Sequence, residues 1–480
     1  MHHITALAPH PLYDVAATRQ LEAALAAGLP AHTLMQRAGL ATARLALAIA
    51  PHARTIWVAC GPGNNGGDGL EAAMHLHQWG KNPLVTWLGS PDSAPADARA
   101  SLDRAKAAGV PFTDSPPPIT DLCIDALLGI GATRPVQGTM AEWIAHINSL
   151  RSPVLAVDLP SGLQADTGTF EGACVQASHA LCLLTLKPGL FTARGRDMAT
   201  QVWFDSLSSP DSAGSAAPRA ALLGDPAPLE RSHDSHKGSY GDVAVIGGAP
   251  GMTGAALLAA TAALHHGAGR VFVALLDGGS LGVDPGQPEL MFRSPESLDP
   301  AELTLVCGCG GGTEIAADLP RILSKSLRLV LDADALNAVA NDSQLEQLLR
   351  ARQARGRQTV LTPHPLEAAR LLGASAAAVQ HDRLSAAEEL ARRFGCTVVL
   401  KGSGTVIAAT GQTTAINPTG NARLATAGTG DVLAGMIGAR LAMAQPAFQA
   451  ACDAVWLHGH AADTWPANQA LTASALARRT

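Results

Sequence analysis

Charge is scarce in this sequence: Asp, Glu, Lys and Arg together make up 15% of it, and aromatic residues only 4%. Low charge alongside 47% hydrophobic residues excludes a disordered polyelectrolyte and predicts compact domains. With so few aromatic rings, the core has to be built from Ala, Leu and Val. No run of Lys or Arg occurs and the formal net charge is -6, so neither nucleic acid nor a membrane surface is an expected partner. Every apolar stretch is broken by Gly, Pro or a charge before the ~20 residues that a spanning helix requires. Met1-His2-His3-Ile4 lacks the charged-then-apolar pattern of a secretion signal. Close cysteine pairs are also lacking. The eight cysteines are scattered, with only Cys307 and Cys309 near one another, and most lie in apolar runs. That distribution predicts reduced core thiols and a cytoplasmic location.

What is present is a regular alternation. At 480 residues the chain is too long for one ordinary domain. Short apolar runs at 55–60, 84–88, 122–125 and 154–158 read as strands, with helical patterns over 70–79, 94–108 and 140–150 between them. Two Ala-rich helices, over 18–27 and 33–50, come first. This pattern predicts an α/β fold, a Rossmann-like αβα domain with a parallel sheet. A Ser-rich, small-residue stretch at 206–217 is the best linker candidate. A second α/β pattern follows, with strands at 242–246, 270–275, 303–306, 328–331, 358–361 and 397–400. The expected domains are 1–215 and 216–480.

Parallel sheets bind ligands at the carboxyl ends of their strands, and the notable side chains fall there. Gly63-Asn64-Asn65-Gly66-Gly67-Asp68-Gly69 follows the first strand as a loop. It matches neither G-x-G-x-x-G nor a P-loop. Its side-chain oxygens suit a hard cation, a polyol or a phosphate, or simply the Asx bonds of a turn. Asp125 and Asp158 end later strands. In the second half, Gly428-Thr429-Gly430-Asp431 precedes a small-residue helix. Glycines there let backbone N–H groups converge on an anion at the helix start. Asp431 then stands where it can take a proton from a hydroxyl, unless it is an ordinary N-cap.

Several motifs taken together carry a resemblance. Gly63 to Gly69, Asp125-Ala-Leu-Leu-Gly-Ile-Gly131 with Arg134-Pro135-Val136, Val157-Asp-Leu-Pro-Ser-Gly162 and Leu34-Met-Gln-Arg-Ala-Gly39 look like the NAD(P)H-hydrate epimerase family over most of 10–205. Gln36 and Ala177-Ser178-His179-Ala180 depart from its usual pattern. The resemblance implies that Asn64, Asn65, Gly66, Gly67 and Asp68, with Gly129, Ile130, Gly131, Ala132, Thr133, Arg134 and Pro135, line the hydrated dinucleotide. Asp158 would contact it. Asn65, Asp125 and Ser161 would be potassium ligands. The carbon that inverts bears both nitrogen and oxygen, so ring opening and reclosure can scramble it with modest acid–base help. Asp158 is the candidate for that help, or else caps the following turn.

From about 230 to 475, His236-Lys-Gly-Ser-Tyr-Gly241, Ile246 to Ala255, Asp332-Ala-Asp334, Leu361-Thr-Pro-His364-Pro365, Leu400-Lys-Gly-Ser-Gly-Thr405 and Gly428 to Gly435 resemble the ADP/ATP-dependent NAD(P)H-hydrate dehydratases, of ribokinase-like fold. Cys307-Gly-Cys-Gly-Gly-Gly312 is a variant of that family's Gly-Pro-Gly-Leu-Gly loop. The resemblance implies that Lys401, Gly402, Ser403, Gly404 and Thr405, with Gly430, hold the adenine nucleotide. Ala255, Gly310, His364 and Asp431 would face the hydrated substrate. The implied co-substrate is ADP, with ATP left open. Magnesium is expected as counter-charge, with Asp332 and Asp334 either contributing to it or acting as helix caps.

The chemistry needs few parts. Hydroxide leaves poorly and phosphate leaves well, so transfer of a phosphoryl group to the ring hydroxyl permits elimination. The expected partners are NADH-hydrate, NADPH-hydrate and ADP, with self-association into a homo-oligomer. Two other readings remain open at this stage. One is a ribokinase-class small-molecule kinase with a nucleotide-binding front domain. The other is a non-catalytic nucleotide-binding protein.

Overall fold

The computed structural model describes residues 1–131, 134–208, 216–229 and 232–479. Ala132 and Thr133, expected at the dinucleotide, and most of the linker candidate lie outside the described residues. The chain forms two compact units, one of Met1–Thr5 with His10–Ala220 and the other of Ala6–Pro9 with Ala221–Thr480. Both are of the α/β class that the sequence predicts.

In the first unit the strands are β1 (His2–His3), β2 (Thr55–Cys60), β3 (Asn82–Trp87), β4 (Leu122–Ala126), β5 (Val154–Val157), β6 (Ala177–Leu183) and β7 (Ala199–Asp205). They lie in the order β1-β7-β6-β5-β4-β2-β3. All neighbours are parallel except the two-residue β1, which pairs with β7 antiparallel. Every residue of β4 and β5 is buried, as central strands covered on both faces require. The helices used below are α1 (Val15–Ala26), α2 (Thr33–Ile49) and α3 (Asn64–Gln78).

The start of α3 corrects the sequence reading. Propensity reserves Gly63 to Gly69 for a loop and starts the helix at Leu70, because each glycine costs a helix about 1 kcal/mol. In the structure the helix begins at Asn64, with Gly63 as its N-cap residue. The reason is close approach. A Cβ on Gly66 would lie 2.0 Å from the Gly61 carbonyl oxygen, and one on Gly67 would lie 2.5 Å from Met35 Sδ. Only glycines let the helix N-terminus press against the strand end.

In the second unit the strands are β8 (Asp242–Gly247), β9 (Arg270–Leu275), β10 (Met291–Phe292), β11 (Thr304–Cys307), β12 (Arg328–Leu331), β13 (Gln358–Leu361), β14 (Thr397–Leu400), β15 (Val406–Ala408) and β16 (Ala415–Ile416). Their order is β10-β9-β8-β11-β12-β13-β14-β15-β16. Pairing is parallel from β10 to β14 and antiparallel from β14 to β16. The helices used below are α6 (Thr253–His265), α7 (Ala333–Asn341), α8 (Pro365–Leu372), α9 (Arg383–Phe394), α10 (Thr429–Ala442) and α11 (Ala447–Asp463), α4 (Ala96–Ala107) and α5 (Gly138–Ser149) belonging to the first unit. The buried cluster beneath α6 and α10 is almost wholly Ala, Val and Leu with Ile, Met and Cys, as the shortage of aromatics demands.

Seven of the eight cysteines are buried, Cys396 is half-buried, and none forms a disulfide. Among the described residues no helix is long and apolar enough to cross a membrane.

Small residues let α6 and α10 touch backbone to backbone. A Cβ on Gly435 would fall 2.0 Å from the Ala259 carbonyl oxygen. Gly435→Ala is therefore expected to destabilise the second unit by about 1–3 kcal/mol through overpacking. Urea unfolding followed by a probe in that unit should show a lower midpoint; an unchanged midpoint would mean that the helices separate at little cost.

Candidate functional site

The carboxyl ends of β2, β4 and β5 open on a cavity of about 700 Å³, walled by α1, the first turn of α3, and residues 127–131. Asn64, Asn65, Asp68, Gly129, Ile130, Gly131 and Asp158 all line it. Gly66 and Gly67 are buried within α3, while Arg134 and Pro135 are exposed and not part of the cavity wall.

Asp125, the penultimate residue of β4, has no solvent exposure. Its Oδ2 accepts from Ser161 N at 2.8 Å and its Oδ1 from Ser161 Oγ at 2.6 Å. Burial pushes the carboxyl up to about 6, although the hydrogen bonds from Ser161 and Leu127 oppose the rise. Asn65 is only 8% exposed, and its Nδ2 has no hydrogen-bond partner among the described residues. The Asp125 carboxylate, the Ser161 hydroxyl and the Asn65 amide oxygen are donor types that fit a hard monovalent cation. Which end of the amide faces the site is an assignment that a bound ion can reverse.

Asp158 follows β5 with φ 65°, a left-handed conformation that is uncommon outside glycine. That twist turns its carboxylate back beneath the end of β6. Oδ1 accepts from Leu183 N at 3.1 Å and from the ammonium of Lys187. Its side chain does not cap the turn that follows. Asp68 sits well above the ordinary carboxylate range, through burial first and then the nearby Asp158, Glu22, Glu71 and Asp97.

In the second unit, β11, β12, β13 and β14 end around the N-terminus of α10. Gly428, at φ 90°, is the N-cap residue, so Asp431 stands in the first turn and is not itself the cap. Ligand atoms of Cys309, Asp332 and Asp431 lie within 4.8 Å of one another. Burial raises Asp431 to about 7, and Asp332 adds to the rise; Cys309 and Lys401 oppose it. The Nζ of Lys401 donates to Asp332 Oδ1 at 2.6 Å. A Cβ on Gly430 would lie 3.3 Å from that Nζ, which places the ammonium against the start of the helix. Burial pulls Lys401 down, but Asp332 and Glu367 carry it above the usual lysine value.

Asp332 is 2% exposed and occupies the N-cap position of α7, yet makes no capping bond. It accepts instead from Thr362 Oγ1 at 2.7 Å and from Lys401. The next residue, Ala333, has φ 49°, and Asp334 Oδ2 accepts from Gly312 N at 2.9 Å. Gly310, at φ 57°, brings its loop onto α6, where its Cβ would be 2.9 Å from that of Ala255. His364 caps α8. Its Nδ1 accepts from Leu366 N at 3.1 Å and Glu367 N at 3.2 Å, and its Nε2 lies 3.2 Å from Glu367 Oε1. Both ring nitrogens are thus engaged within the helix start. Gly402, at φ 141°, leaves room for the buried Arg383 guanidinium of α9, which donates to Leu400 O at 3.0 Å. Thr405 Oγ1 donates to Gly402 O at 3.1 Å, closing the segment that contains Ser403 and Gly404. From α11, His458 Nε2 lies 2.9 Å from Thr429 O at the start of α10.

As for a divalent cation, the carboxylates suit magnesium and the Cys309 thiol does not. Lys401 already neutralises Asp332, so a magnesium ion here would take most of its ligands from nucleotide phosphates.

Sequence reasoning missed Lys187 and the contact of Cys309 with Asp431. A signal existed for the first: Lys187 is the lone charge in Ala180-Leu-Cys-Leu-Leu-Thr-Leu-Lys-Pro-Gly-Leu190. None existed for the second, which depends on how two distant loops meet.

A cavity at the carboxyl ends of the first unit's parallel strands and, in the second unit, a Gly-x-Gly-Asp helix start beside a lysine belong to an α/β enzyme. Residues 243–479 match the family described as NAD(P)H-hydrate dehydratase, and residues 31–189 match the YjeF-related protein N-terminus. The chain is 36% identical to the bifunctional NAD(P)H-hydrate repair enzyme of Escherichia coli (strain K12), over 95% of this chain and 90% of that one. It is likewise 36% identical to that of Coxiella burnetii, over 94% of each. The solved ADP/ATP-dependent NAD(P)H-hydrate dehydratase from Bacillus subtilis, co-crystallised with ATP and Mg2+, is 31% identical over 52% of this chain and 90% of that chain, with a TM-score of 0.45. The chain belongs to the bifunctional NAD(P)H-hydrate repair enzymes. The resemblance read from the sequence is borne out, and the kinase reading is not favoured.

Asp431 also makes a stability prediction. Its folded value of about 7 lies above the ordinary 3.8, so between these values the folded state holds more protons than the unfolded chain. Stability therefore falls as pH rises through that window. Asp431→Asn removes the fall, so the variant is expected to be more stable than wild type by about 1–3 kcal/mol above pH ~7 and nearly equal to it near pH ~4. Denaturant unfolding across that range checks the sign; a gain that is largest at low pH would contradict it.

Proposed function

We propose that this chain repairs hydrated nicotinamide dinucleotides in two steps, with 1–215 interconverting the R and S hydrates and 216–480 dehydrating the S form at the expense of ADP. The single observation that carries the reading is Asp431, poised near neutrality beside Lys401 at the start of α10. A general base works best when its own affinity for the proton matches the working pH.

In the dehydration, Asp431 accepts the proton of the ring hydroxyl as its oxygen bonds to the terminal phosphorus of the nucleotide. The bond from that phosphorus to the departing AMP breaks. The backbone amides of Gly428 to Gly430 and the Lys401 ammonium hold the charge of the moving phosphoryl group. Phosphate then leaves with the ring C–O bond's electrons as the ring nitrogen donates its lone pair, and a neighbouring ring proton passes to water, restoring the double bond. Magnesium, when bound with the nucleotide, supplies charge neutralisation on the phosphates. Residues 401–405 hold the adenine nucleotide, and Ala255, Gly310 and His364 bound the substrate.

In the epimerisation, the α3 start (Asn64 to Asp68) and 129–135 hold the dinucleotide, and Asp158 supplies acid–base help to ring opening and reclosure. Asn65, Asp125 and Ser161 hold potassium, which would settle the charge of a buried carboxylate. Reduced cysteines throughout suit a cytoplasmic setting. One chain carrying both activities clears both epimers even though the dehydratase accepts only one.

The test is epimer-resolved turnover of the hydrate by the full chain, with ADP or ATP, magnesium and potassium varied separately. Dehydration kcat/KM should rise with pH through about 7, where Asp431 loses its proton. Asp431→Asn should remove dehydration by a factor on the order of 1000 and leave epimerisation intact. Asp125→Ala should weaken epimerisation and its response to potassium. Equal loss of both activities in either variant would contradict separate sites.

A further inference from the structure

The mechanism above leaves the buried charge of Lys187 unused. Lys187 follows β6 and has no solvent exposure, yet it belongs to the wall of the first unit's cavity. Its Nζ donates to Asp158 Oδ1 and to Leu183 O at 2.9 Å. An ammonium buried with a single carboxylate is costly to keep and strongly destabilising to break. The neighbourhood explains why a cation is needed. Glu22 from α1, Asp68 from α3 and Asp97 from α4 all face the same cavity, set against Arg19 on α1 and against His32, which pairs with Asp97. Burial and the proximity of Asp158 raise both Glu22 and Asp68. Beneath them, the Cys182 thiol is pushed up to about 12 by burial. Without Lys187, Asp158 would be one more carboxylate in an acidic, half-dry pocket.

We propose that Lys187 is the positioning residue of the epimerisation: its ammonium fixes the Asp158 carboxylate at the cavity wall, in the orientation from which it can take a proton. The inference rests on the epimerase reading given above. In that step the hydroxyl proton passes to Asp158 as the C–O bond becomes C=O and the ring C–N bond breaks. The same carboxyl hands the proton to the ring nitrogen. Rotation of the freed aldehyde and the reverse sequence close the ring with the opposite configuration. No redox partner is required, and Lys187 acts only through Asp158.

The experiment uses the full chain and follows epimerisation kcat, KM and pH profile, with dehydration as the internal control. Lys187→Met is expected to lower epimerisation kcat on the order of 100-fold with KM changed less than about threefold, and to move the acidic limb of the profile upward by about one unit. Lys187→Arg, which keeps the charge, should recover at least about tenfold of the loss. Dehydration should not change. An unmoved acidic limb in Lys187→Met, or an Arg variant as impaired as Met, overturns the proposal. If Lys187→Met does not fold, the variant carrying both D158N and K187M decides, since it buries no unpaired charge. Its residual epimerisation should equal that of Asp158→Asn alone, and a further tenfold drop overturns the proposal. A wild-type chain that does not epimerise would instead refute the reading on which the proposal rests.

Discussion

A carboxylate with almost no water around it stands at a strand end in each unit. Asp125 is the penultimate residue of β4 with no exposure, and Asp332 follows β12 at 2%. A hydroxyl secures each of them: Ser161 Oγ donates to Asp125 at 2.6 Å and Thr362 Oγ1 to Asp332 at 2.7 Å. The carboxyl end of a parallel strand allows this, because the ladder stops while the flanking helices still exclude solvent. A carboxylate there is expensive to hold and responds strongly to any cation. The two units answer the cost differently. Lys401 sits on Asp332, whereas Asp125 accepts from the neutral donors of Ser161 and Leu127.

Everything else keeps these acids dry and their neighbours close. Glycine does most of that work. Gly66 presses the start of α3 against Gly61, and Gly308 lies where a Cβ would meet the Asp332 carbonyl oxygen at 2.1 Å. A core of small aliphatic side chains lets helices approach more closely than bulky aromatics would permit. The scarcity of Phe, Tyr and Trp and the tightness of the sites are two aspects of one design.

Much of this was legible in the sequence. Buried strands of four to six apolar residues, such as β2, β9, β12, β13 and β14, announce themselves because both faces are covered. The strand-end acids Asp125, Asp158 and Asp332 follow from their position. Asp431 follows from a glycine-flanked helix start. The unread parts share a physical cause. The early start of α3 is set by tertiary contact, which overrides the propensity of Gly66 and Gly67. The mixed polar-apolar β7 and the short antiparallel β15 and β16 carry too little periodicity to stand out. Lys187 stands out in the sequence as a lone charge, but its partner is seen only when the turn after β6 brings it to Asp158. His364 reads as a ligand-facing ring from its Pro-His-Pro setting, and the cap its Nδ1 makes at the start of α8 is not legible there.

The strut from His458 to the carbonyl of Thr429 has one more consequence. Burial, the largest influence, drives that imidazole down to about 4, so it is uncharged throughout the range in which cells live. A neutral ring that donates a hydrogen bond neither switches nor repels as protons come and go. The contact at the start of α10 therefore keeps one protonation state from mildly acidic to alkaline conditions.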